Sequence, residues 1–441
     1  MDRGIRYARA ERFGPPVMEP LRPERLSAPA PQSGIEGSED CLHLTVWSPE
    51  GAVAAPVLVW IHGGAHVGGG AADPVTDGAR LASTQGLVVV AVQYRLGALG
   101  HLLFDEESPD AANAALHDQL AALQWVSDNI GVYGGDRTAV TVMGQSAGGV
   151  DVLALLSTAP ERSLFHRAIA HSCTGERVTT PGQAREVRDQ LTRSAGVSSA
   201  DGLLELGVAE LIVAQTRVIA ERSASAPIDS LPFRPVIDGR LLSQSPLDAF
   251  ATGVATSIPL LIGANRREAL PWMTGAVDDA KALDELLRTV APAAAATDLA
   301  SAYGRDHGRV PTPRELREAV LSELMYRSPV QRLVDARGNA PTYAYVFDPD
   351  GLDDVDPGHS GELPLVFGTM LDASPGAATL SERLMNAWGS FAREGRPASE
   401  PAWLDATAGV FSWGRHPRLL PEVDVHLRAA LTAAGAVCDR L

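Results

Sequence analysis

Residues 139–150 combine the residue types that a serine nucleophile requires. A β-branched run ends there in a glycine, Ser146 lies between Gly144 and Gly148, and small residues follow. A strand, a sharp turn and a helix in this order would expose the serine hydroxyl at the edge of a sheet. A tight strand-to-helix turn in which the serine only caps the helix would have the same sequence pattern. The serine therefore indicates acyl transfer only if the chain also supplies a base, an acid and donors for an oxyanion.

A second glycine-rich segment supplies candidate oxyanion donors. Residues 62–70 read His-Gly-Gly-Ala-His-Val-Gly-Gly-Gly and follow the apolar run 56–61. Such small residues let backbone N–H groups approach a substrate oxygen, and the N–H of Ala147 after the serine would join them. A phosphate-binding loop is the alternative, but no Gly-Lys-Ser/Thr follows, and the single lysine of the chain is Lys281.

Strands and amphipathic helices alternate along the chain and would position these segments. Apolar or alternating runs predict strands at residues 42–47, 56–61, 87–92, 139–143, 165–172, 258–262 and 342–347. Apolar spacings of three and four predict helices at residues 113–130, within 175–235 and 275–335, and at 384–392. This alternation predicts an α/β fold with a mostly parallel central sheet and helices on both faces. Residues 1–37 are expected to be dominated by loops, and the tail after the last helix is expected to be irregular.

The composition narrows the classes of partner and location. A formal net charge of −17 over 441 residues disfavours nucleic acid and anionic membrane surfaces as partners. Cys41, Cys173 and Cys438 show no paired or metal-ligand spacing, which favours reduced thiols over a disulfide. The N-terminus lacks an apolar signal region, and no run of about 18 apolar residues occurs, so we expect a soluble cytoplasmic protein.

Eight segments, in this order, resemble the type-B carboxylesterase and cholinesterase family of α/β-hydrolases. They span about residues 38–172, and weaker matches continue to Trp388 and Phe391. The segments are Ser38-Glu39-Asp40-Cys41-Leu42, Val59-Trp60-Ile61-His62-Gly63-Gly64, Tyr94 to Gly100, Asp118-Gln119 through Trp125-Val126, Asn129-Ile130, Gly134-Gly135-Asp136, Gly144 to Gly149 and Phe165-His166-Arg167-Ala168. The resemblance implies an α/β-hydrolase fold in one domain over residues 1–441, with helical insertions at about 175–235 and 270–335 over the active site.

The order of the triad in this architecture, serine then acid then histidine, leads to Glu268 and His359. Glu268 follows the apolar run 258–262 after a glycine and an asparagine, where the family places its glutamate. A surface carboxylate paired with Arg266 or Arg267 is the alternative. His359 begins a segment that resembles the histidine-bearing loop of the family. The other histidines beyond Glu268 are expected at the surface: His307, His416 and His426.

The resemblance thus implies hydrolysis of small to medium carboxylic esters through an acyl-enzyme, without metal or cofactor. Ser146 would attack the ester, His359 would take its proton and Glu268 would orient the imidazole. The expected oxyanion donors are the N–H groups of Gly64, Ala65 and Ala147. The same triad acting on a carbamate, thioester, lactone or amide is an alternative, and a non-catalytic binding member of the family is another. The oligomeric state stays open between monomer and homodimer.

Supporting roles are expected for two further residues. His62 is expected to orient the oxyanion loop rather than to move protons, and Ser172 to support Glu268. His66, which replaces an aromatic common in the family, has no assigned role.

Three departures from the family pattern affect these expectations. In the first, His171 and Cys173 stand where the family has a glutamine and a glycine. Ala65 stands where the family usually has a third glycine, and its Cβ would crowd the acyl site if the backbone there requires a positive φ. The chain also begins close to the segment Gly4-Ile5-Arg6-Tyr7-Ala8, so the first antiparallel strands are expected to be missing. Either the true start lies upstream or the sheet has a bare edge there, which favours association.

Overall fold

A computed structural model describes the chain except for residues 22–24, 27, 105–111, 159–163, 226–230, 274, 277, 400 and 437–441. Its strands are β1 (Asp2–Arg6), β2 (Ala8–Ala10), β3 (Pro16–Met18), β4 (His43–Trp47), β5 (Ala55–Ile61), β6 (Val88–Val92), β7 (Gly135–Gln145), β8 (Arg167–His171), β9 (Leu260–Asn265), β10 (Thr342–Phe347), β11 (Val410–Trp413) and β12 (Arg418–Leu420).

The main sheet contains ten of these strands in the order β1-β4-β6-β5-β7-β8-β9-β10-β11-β12, and β2 pairs with β3 in a hairpin. The seven central strands, from β6 to β11 in this order, are mutually parallel. Antiparallel pairs occur at the two margins, where β4 joins β1 and β6, and where β12 joins β11. The predicted mostly parallel sheet is confirmed.

The α-helices of the described residues are α1 (Ala79–Gln85), α2 (Gly97–His101), α3 (Ala114–Asn129), α4 (Ala147–Thr158), α5 (Pro181–Ala195), α6 (Val208–Ser225), α7 (Pro246–Ala251), α8 (Ala280–Val290), α9 (Ala296–His307), α10 (Pro313–Ser322), α11 (Ser328–Arg337), α12 (Leu363–Val366), α13 (Pro375–Glu394) and α14 (Val425–Ala433). A π-helical turn at Glu323–Arg327 connects α10 to α11.

Both faces of the central sheet are covered, as the uninterrupted apolar strands predict. In β5, the side chains of Val57, Val59 and Ile61 join the core that contains residues of α3, α4, α7 and α11. Leu58 and Trp60 point to the opposite face and join the core that contains residues of α1 and α13. Since successive strand residues face opposite sides, a run that is apolar at every position requires helices on both faces.

The helices outside these two layers have apolar clusters of their own. Residues of α5 and α6 pack with α2, whereas residues of α8, α9 and α10 pack with α14. Local sequence signals define several of their ends. The side chains of Thr180 and Thr312 form capping boxes with Gln183 and Glu315 at the starts of α5 and α10. Among the described residues, no helix is both long and apolar enough to cross a bilayer.

The two ends of the chain are more regular than the sequence predicts. The N-terminal segment, expected to be loop-dominated, contains β1, in which Ile5 is opposite Leu44 of β4. The tail, expected to be irregular, contains β11, β12 and α14. These strands are short and pair with partners far away or only after a turn, so a local apolar period does not reveal them.

Candidate active site

The segment around Ser146 forms a sharp turn from β7 into α4. Ser146 has a φ of 54°, a left-handed conformation that costs energy for a residue with a side chain. A Cβ added at Gly144 would lie 2.3 Å from the carbonyl oxygen of Gly148, and one added at Gly148 would lie 2.2 Å from that of Ile61. The turn therefore requires both glycines, and it places Ser146 at the carboxyl edge of the sheet.

His359 and Glu268 lie together at the same edge of the sheet. The His359 Nδ1 atom is 2.6 Å from Oε2 of Glu268, whose side chain is buried. The amide Nε2 of Gln145 donates to the His359 Nε2 atom at 3.1 Å. Because the carboxylate accepts at Nδ1 and the amide donates to Nε2, the hydrogen of the neutral ring is on Nδ1. The Nε2 lone pair, which a general base needs, is therefore turned toward the elbow.

Ser146 itself makes no side-chain hydrogen bond to the described residues. Its neighbour Gln145 occupies the Nε2 atom of His359. A hydrogen bond between the Ser146 hydroxyl and Nε2 of His359 would require the Gln145 amide to move away from that atom.

Asn265, the last residue of β9, connects the acid to the loop of the histidine. Its backbone N–H donates to Oε1 of Glu268 at 2.6 Å. Its side-chain Nδ2 donates to the carbonyl oxygen of Gly358 and to Oε2 of Glu362, each at 2.6 Å. Asn265 thus holds the carboxylate of Glu268 and the residues that precede and follow His359 in the chain. The sequence pattern alone gave no role to Asn265.

A second buried layer supports Glu362. The Nε1 of Trp388 donates to the His171 Nε2 atom at 3.0 Å, so the ring hydrogen is on Nδ1, which lies 3.0 Å from Oε1 of Glu362. The hydroxyl of Tyr345 lies 2.8 Å from the same Nδ1. Burial opposes ionisation of Glu362, but the hydrogen bonds from His171 and Asn265 outweigh it and keep the pKa of Glu362 below its ordinary value.

The glycine-rich loop after β5 has positive φ values at the two residues predicted to donate to an oxyanion. Gly64 has a φ of 119°, and a Cβ there would lie 2.1 Å from the carbonyl oxygen of Gly68. Ala65 has a φ of 57°, so the condition for crowding by its Cβ is met. Neither N–H group donates to another described residue in this structure. Ala147 is the first residue of α4, so its N–H has no partner within the helix, and Ala65 and Ala147 line the same pocket as Ser146.

His62 contacts this loop through both its backbone and its ring. Its Nδ1 lies 2.8 Å from the carbonyl oxygen of Gly63, and Tyr94 donates its hydroxyl to the His62 carbonyl oxygen at 2.7 Å. Burial lowers the pKa of His62 to about 4, so the ring is neutral near neutral pH. The orienting role of His62 stays a prediction.

Ser172 does not give Glu268 the support that was expected of it. Its hydroxyl is buried and has no hydrogen-bond partner in the described part of the chain, so it does not hold Glu268. The backbone of Asn265 does so instead. Ser172 has a φ of 47°, and its N–H donates to the Gly263 carbonyl oxygen at 2.7 Å, which turns its side chain into the pocket beside Ser146.

The pocket at the elbow is small and mixes apolar and cationic side chains. The residues that line it are Ala65, His66, Ser146, Ala147, Val150, Ser172, Cys173, Arg177, Leu231 and Arg234. Tyr326 and Trp272 flank the other side of His359, with ring centroids 4.9 and 5.2 Å from the imidazole. Cys41 and Cys173 are free and buried, whereas Cys438 lies outside the described residues.

The chain matches the model of the carboxylesterase family over residues 4–418. The chain belongs to this family. It is 34% identical to the para-nitrobenzyl esterase of Bacillus subtilis (strain 168) over 84% of this chain and 78% of that protein. It is 32% identical to the liver carboxylesterase of Sus scrofa over 88% of this chain and 75% of that protein.

Solved structures of the family show the same fold. One of a PNB esterase superposes with a TM-score of 0.83 at 30% identity, covering 97% of this chain and 95% of that one. A carboxylesterase of Geobacillus stearothermophilus gives a TM-score of 0.80 at 28% identity over the same shares. The predicted family, the α/β-hydrolase fold and the carboxylesterase class of enzyme are confirmed.

Proposed function

We propose that this carboxylesterase hydrolyses small to medium carboxylic esters through an acyl-enzyme formed on Ser146. The observation that carries the proposal is the imidazole of His359, which is fixed by Glu268 at 2.6 Å with its Nε2 lone pair directed at the elbow. A neutral imidazole in this tautomer is the base that a serine nucleophile needs.

In the first half of the reaction, the Oγ of Ser146 attacks the ester carbonyl carbon and His359 Nε2 takes the hydroxyl proton. The negative charge of the tetrahedral intermediate develops on the carbonyl oxygen, which accepts hydrogen bonds from the N–H groups of Gly64, Ala65 and Ala147. The intermediate then breaks its bond to the alcohol oxygen, and the alcohol leaves with the proton from His359.

In the second half, water replaces the alcohol. His359 takes a proton from the water as it attacks the acyl carbon, and the bond to Ser146 breaks as the proton returns to its oxygen. Glu268 stays ionised and holds the imidazolium in place. The small pocket beside the serine favours short acyl groups.

We further propose that residues 1–441 form one hydrolase domain in which the segments 175–235 and 270–335 are helical insertions over the active site. The helices α5 and α6 lie in the first segment, and α8 to α11 in the second. The buried free thiols of Cys41 and Cys173 support a reducing compartment such as the cytoplasm.

Substitution of the nucleophile tests the mechanism. Ser146→Ala should lower kcat for p-nitrophenyl acetate by on the order of 10⁶-fold and leave the thermal midpoint nearly unchanged. A fluorophosphonate probe should label the wild-type chain and Ser157→Ala, a control from the same helix, but not Ser146→Ala. Turnover or labelling retained by Ser146→Ala would contradict the proposal.

A further inference from the structure

A buried group of metal-ligand side chains lies behind the oxyanion loop. The ligand atoms of His66, His101 and Asp151 all lie within 4.8 Å of one another. The side chains are 3%, 3% and 0% exposed, respectively. The proposed ester hydrolysis uses none of the three.

Three separate segments bring these residues together. His66 follows Ala65 in the oxyanion loop, His101 is the last residue of α2, and Asp151 lies in α4 shortly after the elbow. Because they are far apart in the chain, no ligand spacing appears in the sequence. The sequence analysis accordingly expected no metal.

His101 has unused ligand capacity. Both of its ring nitrogens are buried without a hydrogen-bond partner among the described residues. Its ring centroid lies 4.4 Å from that of His66. A buried polar ring without any partner costs free energy, which binding of an ion would recover.

Asp151 adds a buried charge to this group. Its Oδ1 lies 2.9 Å from the Nε2 of His66, and its Oδ2 accepts a hydrogen bond from the Nε2 of Gln119 at 2.6 Å. Its one ion-pair contact within the described part of the chain is with His66, and a buried carboxylate with no arginine or lysine there is stabilised by a bound cation.

We propose that His66, His101 and Asp151 bind one divalent transition-metal ion, with Zn²⁺ as the ion that suits two imidazoles and a carboxylate. The ion replaces the hydrogen between His66 Nε2 and Asp151, and the ring of His66 carries its hydrogen on Nδ1 instead. Gln119 holds the second carboxylate oxygen, as outer partners of metal-bound carboxylates do.

The distances allow this coordination after a small adjustment. Bonds of about 2.0–2.2 Å to zinc in a tetrahedral site place ligand atoms roughly 3.4 Å apart. The most distant ligand atoms, within 4.8 Å, need to close by roughly 1.4 Å or less, and the His66 Nε2 and Asp151 Oδ1 atoms, 2.9 Å apart, need to open by roughly 0.5 Å. The bound ion joins the oxyanion loop to α2 and α4, so its role is to fix the position of Ala65 relative to Ser146 rather than to contact the substrate.

Metal binding can be measured directly on the full chain without an affinity tag. The protein is dialysed against a chelator, incubated with Zn²⁺ or Co²⁺, and desalted for elemental analysis. We expect one ion per chain, a higher thermal midpoint, and, with Co²⁺, the visible d–d absorption of a four-coordinate site. Wild-type protein that retains no ion and shows no midpoint shift at ten equivalents of metal would overturn the proposal.

Variants assign the ion to this site. His101→Phe and Asp151→Asn should each abolish stoichiometric binding, and Gln119→Leu should weaken it by about 10- to 100-fold. His416→Ala, which removes an exposed histidine elsewhere, should bind as the wild type does. Far-UV circular dichroism checks that each variant is folded. If His101→Phe and Asp151→Asn do not fold, the weaker binding expected for Gln119→Leu tests the site instead. Unchanged binding in folded His101→Phe would overturn the assignment. These measurements do not depend on esterase activity.

Discussion

At the scale of single residues, the site stores backbone strain where it would contact the substrate. Ala65, His66 and Ser146 have φ values of 57°, 59° and 54°. A left-handed conformation costs roughly 1–2 kcal/mol for a residue with a side chain. Strain at Ser146 is part of the elbow that exposes the hydroxyl. Strain at Ala65 has no such role, so the methyl group there is a candidate determinant of substrate size.

Replacing Ala65 by glycine should broaden the substrate range with little effect on stability. The loss of the methyl group gives bulky acyl groups more room, and relief of strain offsets the backbone entropy of glycine, about 0.5–1 kcal/mol. We expect the ratio of kcat/KM for p-nitrophenyl pivalate to that for the acetate to rise. Ala255→Gly, at a φ of 57° away from the site, is the control and should leave this ratio unchanged. An unaltered ratio in Ala65→Gly would show that the methyl group does not limit access.

At the scale of elements, the end of β9 organises the proposed triad. Asn265 reaches from this strand to Gly358 and Glu362 on either side of His359, while its N–H holds Glu268. The strand β9 positions Glu268, and the side chain of Asn265 positions the loop of His359 relative to Glu268. The glutamate and histidine therefore depend on a residue that performs no chemistry.

Asn265→Ala should lower kcat more than it raises KM. The variant keeps the backbone N–H to Glu268 but loses two buried hydrogen bonds, one of them to an ionised carboxylate. We expect a loss of about 2–4 kcal/mol in the free energy of unfolding, measured with urea. Asn129→Ala, which removes one hydrogen bond at the end of α3, is the control for stability. If Asn265→Ala retained the kcat of the wild type, the asparagine would not position the base.

At the scale of the whole molecule, buried charged side chains connect the start of the C-terminal helix α14 to the segment that follows β9. Asp424 precedes α14 and lies 2.5 Å from Arg327 of the π-helical turn and 2.8 Å from Arg266, which follows β9. Burial would raise the pKa of Asp424, but Arg327 and Arg266 outweigh it and hold the pKa well below the ordinary value. The ionised Asp424 with its arginine partners therefore stabilises the fold above the unfolded-state pKa of about 4. This stabilisation is lost as the pH falls through the pKa of Asp424 in the folded state.

Stability should decline with acid in two stages. The pKa of His62 falls from 6.5 to about 4 on folding, so the unfolded chain takes up a proton first and stability decreases between these values. The loss is on the order of 3 kcal/mol, and carboxylates such as Asp424 add a steeper loss below about pH 4. We expect a flat thermal midpoint above about pH 7 and a decline below pH 6.5. The thermal midpoint of His62→Gln, measured alongside, should decline less between pH 6.5 and 4 than that of the wild type. An equal slope in both proteins would rule out His62 as the source.

The sequence alone was sufficient for the features that depend on local pattern. Apolar runs with turn residues at their ends predicted strands close to those observed at β5 and β6, and the glycines around Ser146 predicted the elbow. The family resemblance supplied Glu268 and His359, which the structure places 2.6 Å apart. Each of these predictions depends on residues that are neighbours in the chain or on motifs of fixed order.

The tertiary structure decided what depends on residues that are distant in the chain. The pairing of β1 with β4, the bridge made by Asn265, and the group of His66, His101 and Asp151 are examples. Periodicity reports whether a side chain is buried, because burial repeats with the turn of a helix or the pleat of a strand. It does not report which buried polar group lies opposite, since that depends on how separate elements pack. The partners of buried polar atoms, which determine proton positions and ligand sites, therefore follow from the packed fold alone.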